Sequence, residues 1–180
     1  IMQDLLKFNI ELMQNDPALS WLFEQKECWN ALLTQNLRAL LEGNTFVLFC
    51  DHKRNWFERY FLSRINSLGG DRPFLPFYSL SNLYPNLEQI KTSEEMALLS
   101  DLLSISFPNG FTYFYIGEPN TSFADIAKTS DESYIWLIGE DTPNMFCLES
   151  DDKNLDIKLI KLFEIFNKSI DAALFNEVII

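Results

Sequence analysis

His52 is the one histidine of the chain, and it stands beside Asp51 at the end of an apolar run. A histidine held by a carboxylate can move protons near neutral pH, as in nucleophile–histidine–acid sites. Such a site also needs a serine or cysteine in a sharp elbow turn, and the sequence has no elbow motif. Capping of the next helix by Asp51, with His52 in solvent, explains the pair equally well. The pair alone does not predict an enzyme.

Other polar residues also follow predicted strand ends. Glu118, Glu140 and Asp141 could line the top of a sheet, where α/β proteins bind ligands. Acidic surface is the competing interpretation, because 26 acidic residues stand against 14 basic ones. The pairs at 44–45 and 81–82 are turn formers first and ligand groups second.

The cysteines predict neither a disulfide framework nor a zinc site. Cys28, Cys50 and Cys147 lie far apart, and the last two fall in apolar, strand-like runs where a thiol behaves as a small hydrophobe. With one histidine, a metal site would need mostly carboxylates or thiolates, and no spacing supports one. Phosphate-loop and dinucleotide fingerprints are missing as well. We therefore expect no catalytic residue, no metal and no cofactor.

The stretch from residue 45 to 62 is the most informative one. An apolar strand at 46–50 runs through 51–55 directly into a helix that opens at Trp56. In doubly wound α/β folds this corner holds phosphate, because glycines let the backbone approach the ligand and the helix N-terminus attracts its charge. Here the corner has no glycine, and charged and bulky side chains take the place of the ligand. We expect an enzyme-like scaffold with a closed pocket, as in a binding protein.

Composition favours one domain, residues 1–180, with N-terminal helices over residues 2–42. Hydrophobic residues make up 47% of the chain and aromatic residues 14%, which is enough for a core. A formal charge of −12 repels nucleic acid and anionic lipid, so direct DNA binding is disfavoured. The small basic cluster of Lys53, Arg54 and Arg59 could serve a local contact. No run approaches the roughly 20 apolar residues of a membrane span, and we expect a cytoplasmic protein.

The remaining elements predict an α/β fold: a three-layer α/β/α sandwich with a mostly parallel, five-stranded, Rossmann-like sheet. Prolines at 73 and 76 place the strand at 73–80 on a sheet edge, as a flavodoxin-like strand order requires. Thr92 and Glu95 form a capping box before the next helix. The predicted elements are helices at 2–14, 18–42 with an interruption near Gln25, 96–103, 121–128 and 155–178, and strands at 46–50, 73–80, 111–116, 134–138 and 145–148.

The last strand and the last helix leave two questions. Only residues 140–144 link the final two strands, which is too few for a parallel crossover, so the segment 145–148 is predicted to be an antiparallel hairpin partner. The final helix has a wide apolar face. It is either wedged between the sheet and neighbouring helices, or packed in part against another copy of the chain.

A set of short runs, taken together in order and spacing, resembles the HobA family of DnaA-binding initiation factors. The match covers most of the chain and is strongest over residues 45–85 and 134–180. The runs are Asn55-Trp56-Phe57, Tyr60, Leu62-Ser63, Asn66, Arg72-Pro73, Tyr84-Pro85, Trp136-Leu137 and the helix from Asp156 to Asn176.

The resemblance implies a fold similar to sugar isomerase domains, a homotetramer, and binding to the N-terminal region of the replication initiator DnaA, so that DnaA copies are gathered at the origin. Sugar isomerase domains hold a phosphosugar in glycine- and serine-rich loops, whereas this chain has residues 51–55 and 80–83 there. Ser79 and Ser81 keep part of that pattern. A phosphosugar-binding or isomerising enzyme is therefore the alternative.

We expect the DnaA-docking surface around the end of the first strand, its helix and the loop at Tyr84. Tyr, Trp and Arg dominate interface energies, which favours exposed aromatic and charged side chains. At least one of Trp56 and Phe57 should be buried in the core instead. The candidate partner-binding residues are Asp51, Lys53, Arg54, Trp56, Tyr60 and Tyr84.

Overall fold

A parallel sheet forms the centre of the computed structural model, which describes residues 2–139, 143 and 145–180. The central sheet has five strands in the order β3-β2-β4-β5-β6, and every neighbouring pair is parallel. A separate two-stranded sheet joins β1 and β7. The strands are β1 Gln3–Asp4, β2 Thr45–Cys50, β3 Phe77–Ser79, β4 Phe111–Gly117, β5 Tyr134–Ile138, β6 Cys147–Leu148 and β7 Val178–Ile179.

Helices begin where the sequence offers caps. The predicted capping box is confirmed: Thr92 accepts from the backbone of Glu95, and Glu95 reaches back to the Thr92 N–H. The predicted interruption near Gln25 is also confirmed, because a 3₁₀ segment Pro17–Gln25 precedes α2. The helices are α1 Leu5–Asn15, α2 Lys26–Leu41, α3 Asn55–Ile65, α4 Leu80–Leu83, α5 Ser93–Ser106, α6 Ser122–Ala127 and α7 Leu155–Leu174, with further 3₁₀ turns at His52–Arg54 and Leu87–Gln89.

The two faces of the sheet carry separate cores, which gives the three layers predicted. One core packs under α1, α2, α3 and α7, and its aromatic rings stand close together: Phe61 and Phe163 have centroids 4.9 Å apart, and Phe114 and Trp136 5.0 Å apart. The other core lies under α5 and α6 and includes Phe49. Alternate residues of each strand therefore serve opposite faces, as expected of a sheet buried on both sides.

The wide apolar face of α7 is used inside the chain. Leu159, Leu162, Phe166 and Ile170 are buried, and α7 contacts α1, α2 and α3. The wedged arrangement is thus the one observed for most of the helix.

Strand β3 lies at a sheet edge, as Pro73 and Pro76 predicted. The prediction for β6 is wrong: it pairs parallel with β5, with Leu137 opposite Cys147. The crossover rule assumes long strands, whereas a two-residue strand requires a return of only roughly 7 Å. The side chain of Gln25 then satisfies the outer edge, accepting from the Cys147 N–H at 3.2 Å and donating to its carbonyl at 2.9 Å.

The chain termini form the element that the sequence did not predict. Helix α7 ends at Leu174, earlier than expected, and Asn176 follows with φ of 56°, a left-handed conformation that asparagine tolerates. The chain then turns so that β7 pairs with β1, with Gln3 opposite Val178. Within the described ranges, no helix is both long enough and apolar enough to cross a bilayer.

Candidate functional site

The strand order reverses between β2 and β4, which is where open α/β sheets bind ligands at the carboxyl ends of their strands. Asp51 follows β2 and Glu118 follows β4 at this point. Asp51 is buried and its carboxylate accepts from the backbone N–H of Glu118 at 2.7 Å and from that of Arg54 at 3.1 Å. The carboxylate thus ties the two strand ends together.

Basic side chains complete an ion network here. The buried Arg54 guanidinium pairs with the Asp51 carboxylate and lies 3.4 Å from Glu118 Oε1. Lys53 Nζ, in solvent, donates to the same Glu118 oxygen at 2.6 Å. The hydrogen bond from Lys53 is the main reason that the pKa of Glu118 lies below its usual range. The network fills part of the crevice with charges that neutralise one another, and a cavity of about 160 Å³ remains beside Asp51, Lys53 and Glu118.

Gly117 makes this close approach possible, and the sequence reading missed it. A Cβ at this position would lie 2.6 Å from Asp51 Oδ2 and 2.5 Å from the Tyr115 hydroxyl. The Tyr115 hydroxyl in turn donates to the Glu118 carbonyl at 2.7 Å. The signal in the sequence was a glycine at the end of an otherwise bulky strand, which marks close approach of another group.

Two of the six predicted partner-binding residues are not exposed. The expectation of exposure is wrong for Asp51 and Arg54, because each satisfies the other's charge inside the network. Lys53 is exposed and Trp56 is 37% exposed, while Tyr60 and Tyr84 are half-buried. The burial predicted for one of the neighbouring aromatic residues is confirmed by Phe57, which the core encloses completely.

The structure places Trp56 and Tyr60 on one face of α3, whereas Lys53 lies with Glu118 at the crevice and Tyr84 lies elsewhere. Trp56 and Tyr60 are four residues apart on α3, and Tyr60 packs edge-on against Phe163 on the α7 side of the sheet. Tyr84 packs against the core on the opposite side. These candidates therefore belong to different surfaces.

Arg64 is a further residue of the α3 face that carries Trp56 and Tyr60, and the sequence reading missed it. Its guanidinium lies over the Tyr60 ring, 4.7 Å from the centroid. Such a contact orders a long cationic side chain on an aromatic surface. The spacing of four residues from Tyr60 is the signal that would have pointed to it. We call Trp56, Tyr60 and Arg64 the α3 surface.

An open cleft of about 350 Å³ lies beside the crevice, at the carboxyl ends of β2 and β3. The expectation of a closed pocket is therefore wrong for this neighbouring cleft, and the crevice itself keeps a smaller cavity of about 160 Å³. Glu58 forms part of the cleft wall; its carboxylate accepts from the Ser79 hydroxyl at 2.6 Å and from the Cys50 N–H at 3.2 Å. Burial raises the pKa of Glu58 above its ordinary value, against the lowering effect of these hydrogen bonds.

Other candidate ligands were placed as follows. His52 is exposed, with Nε2 3.5 Å from Glu88 Oε1 and its ring 5.4 Å from that of Phe123. Glu140 and Asp141 lie outside the described residues. Among the residues that are described, no three His, Cys, Asp or Glu side chains come together in a group that could hold a metal ion. The three cysteines are free thiols.

The fold and the site define a class: a Rossmann-like α/β/α domain whose ligand crevice holds an internal ion network. The family model described as "HobA: DNA replication regulator" matches residues 2–180, and the chain belongs to this family. The resemblance seen in the sequence is therefore confirmed.

Individual relatives agree with this assignment. The chain is 26% identical over 162 residues to the DNA replication regulator protein HobA of Helicobacter pylori (strain ATCC 700392 / 26695), covering 88% of this chain and 86% of the relative. Among solved structures, a HobA–DnaA (domain I-II) complex from Helicobacter pylori matches with a TM-score of 0.76 at 19% identity, covering 99% of this chain and 100% of that one. HobA from the same organism matches with a TM-score of 0.70 at 19% identity over the full length of both chains. These structures share the fold.

Proposed function

We propose that this protein is an adaptor without catalytic activity, which binds the N-terminal region of the replication initiator DnaA and promotes initiation of chromosome replication in the cytoplasm. The observation that carries the proposal is the match over nearly the whole chain to the HobA–DnaA (domain I-II) complex, together with family membership. A relative with this fold thus forms a complex with domains I and II of DnaA.

The ion network in the crevice supports the absence of catalysis. Asp51 and Glu118 are the carboxylates best placed for acid–base work, and both are engaged by cations of the network. A general base needs an accessible lone pair directed at substrate. Asp51 instead uses its carboxylate to hold two backbone N–H groups and Arg54.

We propose the α3 surface as the docking site. Trp56 offers an exposed aromatic ring, and Tyr60 with Arg64 offers an ordered pair beside it. Aromatic residues and arginine give interfaces most of their energy. Lys53 is proposed as a further contact at the crevice, on the loop that Asp51 and Arg54 fix, and Tyr84 is proposed as a separate contact on the other side of the sheet.

Assembly would give the adaptor its effect. In a homotetramer, identical docking sites hold several DnaA copies at high effective concentration, which can raise apparent affinity by about 100-fold or more without a new contact. Ile157 and Phe175, at either end of α7, remain exposed in the single chain and could take part in such contacts.

The experiment is size-exclusion chromatography with multi-angle light scattering on the full chain, alone and mixed with domains I–II of DnaA from its own organism. A tetramer that takes up DnaA copies is expected. A monomer or dimer that takes up none would overturn the proposal. To test the α3 surface, Trp56→Ala should weaken the uptake of DnaA at least tenfold. Phe23→Ala is the matched control, because Phe23 is 39% exposed and lies outside the α3 surface.

The open cleft is the one observation that favours the alternative, a phosphosugar-binding or isomerising enzyme. A ligand at 100 times its dissociation constant would stabilise the fold by about 2.7 kcal/mol. A panel of sugar phosphates that shifts the melting temperature would support this alternative, and a panel without any shift would exclude it.

A further inference from the structure

The cleft beside the crevice has the position and size of a small-molecule site. Its walls are the first turns of α3 and the segment that follows β3, and its volume is about 350 Å³. Small-ligand sites in proteins range over roughly 300–1,000 Å³. Trp56, Tyr60 and Arg64 do not line it, so it is separate from the α3 surface.

Charges of both signs face this cleft. Glu58 and Glu88 bring carboxylates, and Arg59 brings a guanidinium. Each oxygen of Glu58 accepts one hydrogen bond from the protein, which leaves each with a lone pair for a ligand donor. Two carboxylates and one guanidinium thus face the cleft.

This balance disfavours a phosphate group. A phosphate monoester would meet carboxylate repulsion that a single arginine does not offset. The Ser79 hydroxyl cannot compensate, because it already donates to Glu58 and accepts from the Asn82 N–H at 3.3 Å. Ser79, which keeps part of the serine-rich pattern, therefore makes its hydrogen bonds within the protein and not with a ligand.

Neutral hydrogen-bonding groups complete the lining. Asn55, Ser81 and Asn82 face the cleft, and in the described part of the chain their side chains make no hydrogen bond with the protein. Amides and hydroxyls both donate and accept, so they suit a small polar ligand rather than an apolar one.

We propose that this cleft binds a small zwitterion of the free amino acid class, with the ammonium group on Glu58 and Glu88 and the carboxylate on Arg59. The neutral amides and the hydroxyl of Ser81 then hold the remaining polar atoms. A zwitterion can contact the carboxylates and the guanidinium together, whereas a simple cation or anion would use only one kind of side chain. This goes beyond the adaptor function and does not depend on DnaA binding.

The test is a melting-temperature screen of the full chain with the twenty free amino acids, followed by calorimetric titration of any that bind. Methylamine, acetate, inorganic phosphate and glucose 6-phosphate are the comparison ligands. At least one amino acid should bind, and Arg59→Gln and Glu88→Gln should each weaken it at least tenfold. Both side chains are exposed, so the variants should fold, and their melting temperatures without ligand check this.

Arg38→Gln is the control, since Arg38 is an exposed arginine of α2 that does not line the cleft, and it should leave the affinity unchanged. The proposal is overturned if no amino acid binds, if methylamine binds as tightly as the zwitterion, if only the phosphates bind, or if both cleft variants bind normally. Uptake of DnaA is measured separately, so loss of one function does not obscure the other.

Discussion

Asp51 and Arg54 form a buried ion pair one turn apart, at the point where the order of the strands reverses. Asp51 also holds the backbone of Glu118, so a single carboxylate joins the ends of β2 and β4. The protein has thus placed its own charges where related folds place a ligand.

Replacing Arg54 by methionine should destabilise the protein strongly. The change leaves the Asp51 carboxylate buried without its cation, a defect that costs about 3–5 kcal/mol. Urea unfolding at neutral pH measures the loss. Lys53→Met is the matched control, because Lys53 pairs with Glu118 in solvent and such pairs contribute about 0–1 kcal/mol. Equal losses in the two variants would contradict the role given to the buried pair.

Gly117→Ala should also destabilise the protein. The new methyl group would stand 2.6 Å from Asp51 Oδ2, so the carboxylate or the strand has to move, at a cost of about 1–3 kcal/mol. The control is Gly70→Ala, where nothing lies within 4 Å and the backbone is not left-handed. Chemical denaturation of both variants should show a loss at position 117 alone. A Gly117→Ala protein as stable as the parent would show that the strand end adapts freely.

Local sequence signals predicted most elements of the fold. Strand β2 is apolar at five successive positions, and the Thr92–Glu95 capping box involves residues three apart, so neither needed knowledge of distant contacts. The direction of β6 could not be read in this way. The outer edge of this strand is satisfied by Gln25, from an early turn of the chain, so its partners on that side have no local signal either. The pairing of β1 with β7 likewise joins opposite ends of the sequence.

The sequence predicted the corner between β2 and α3 but not which of its charged residues are buried. Asp51, Lys53 and Arg54 are adjacent charged residues, and nothing in their order distinguishes the exposed lysine from its buried neighbours. The distinction comes from Glu118 and Gly117, which belong to another strand. Burial here follows from the pairing of β2 with β4, a tertiary fact without a local signal.

Phe61→Ala should cause the largest loss among single core truncations of α3. The ring of Phe61 has its centroid within 4.9–5.9 Å of four other phenylalanine rings, and the side chain is fully buried. Truncation of such a side chain leaves a cavity and costs about 3–5 kcal/mol. Phe74→Ala, at 72% exposure, is the control and should stay within about 0.5 kcal/mol of the parent in thermal and urea unfolding. Similar losses at both positions would contradict the packing described.

Glu58 should make the protein less stable as the pH rises. Burial raises its pKa in the folded state above the value of 4.5 that it has when exposed. Between these two values the folded state keeps a proton that the unfolded state has lost. The free energy of unfolding therefore falls with pH in this window, by up to about 1.4 kcal/mol per pH unit.

Groups with lowered pKa values, such as Glu118, act in the opposite direction, because the stability they give is lost as the pH falls. The Glu58 contribution must therefore be read from a difference between proteins. Urea unfolding from pH 4 to pH 8 should show that Glu58→Gln gains stability relative to the parent as the pH rises above 4.5, whatever its absolute stability. A constant difference between Glu58→Gln and the parent across this range would mean that the buried carboxylate ionises at the same pH in both states.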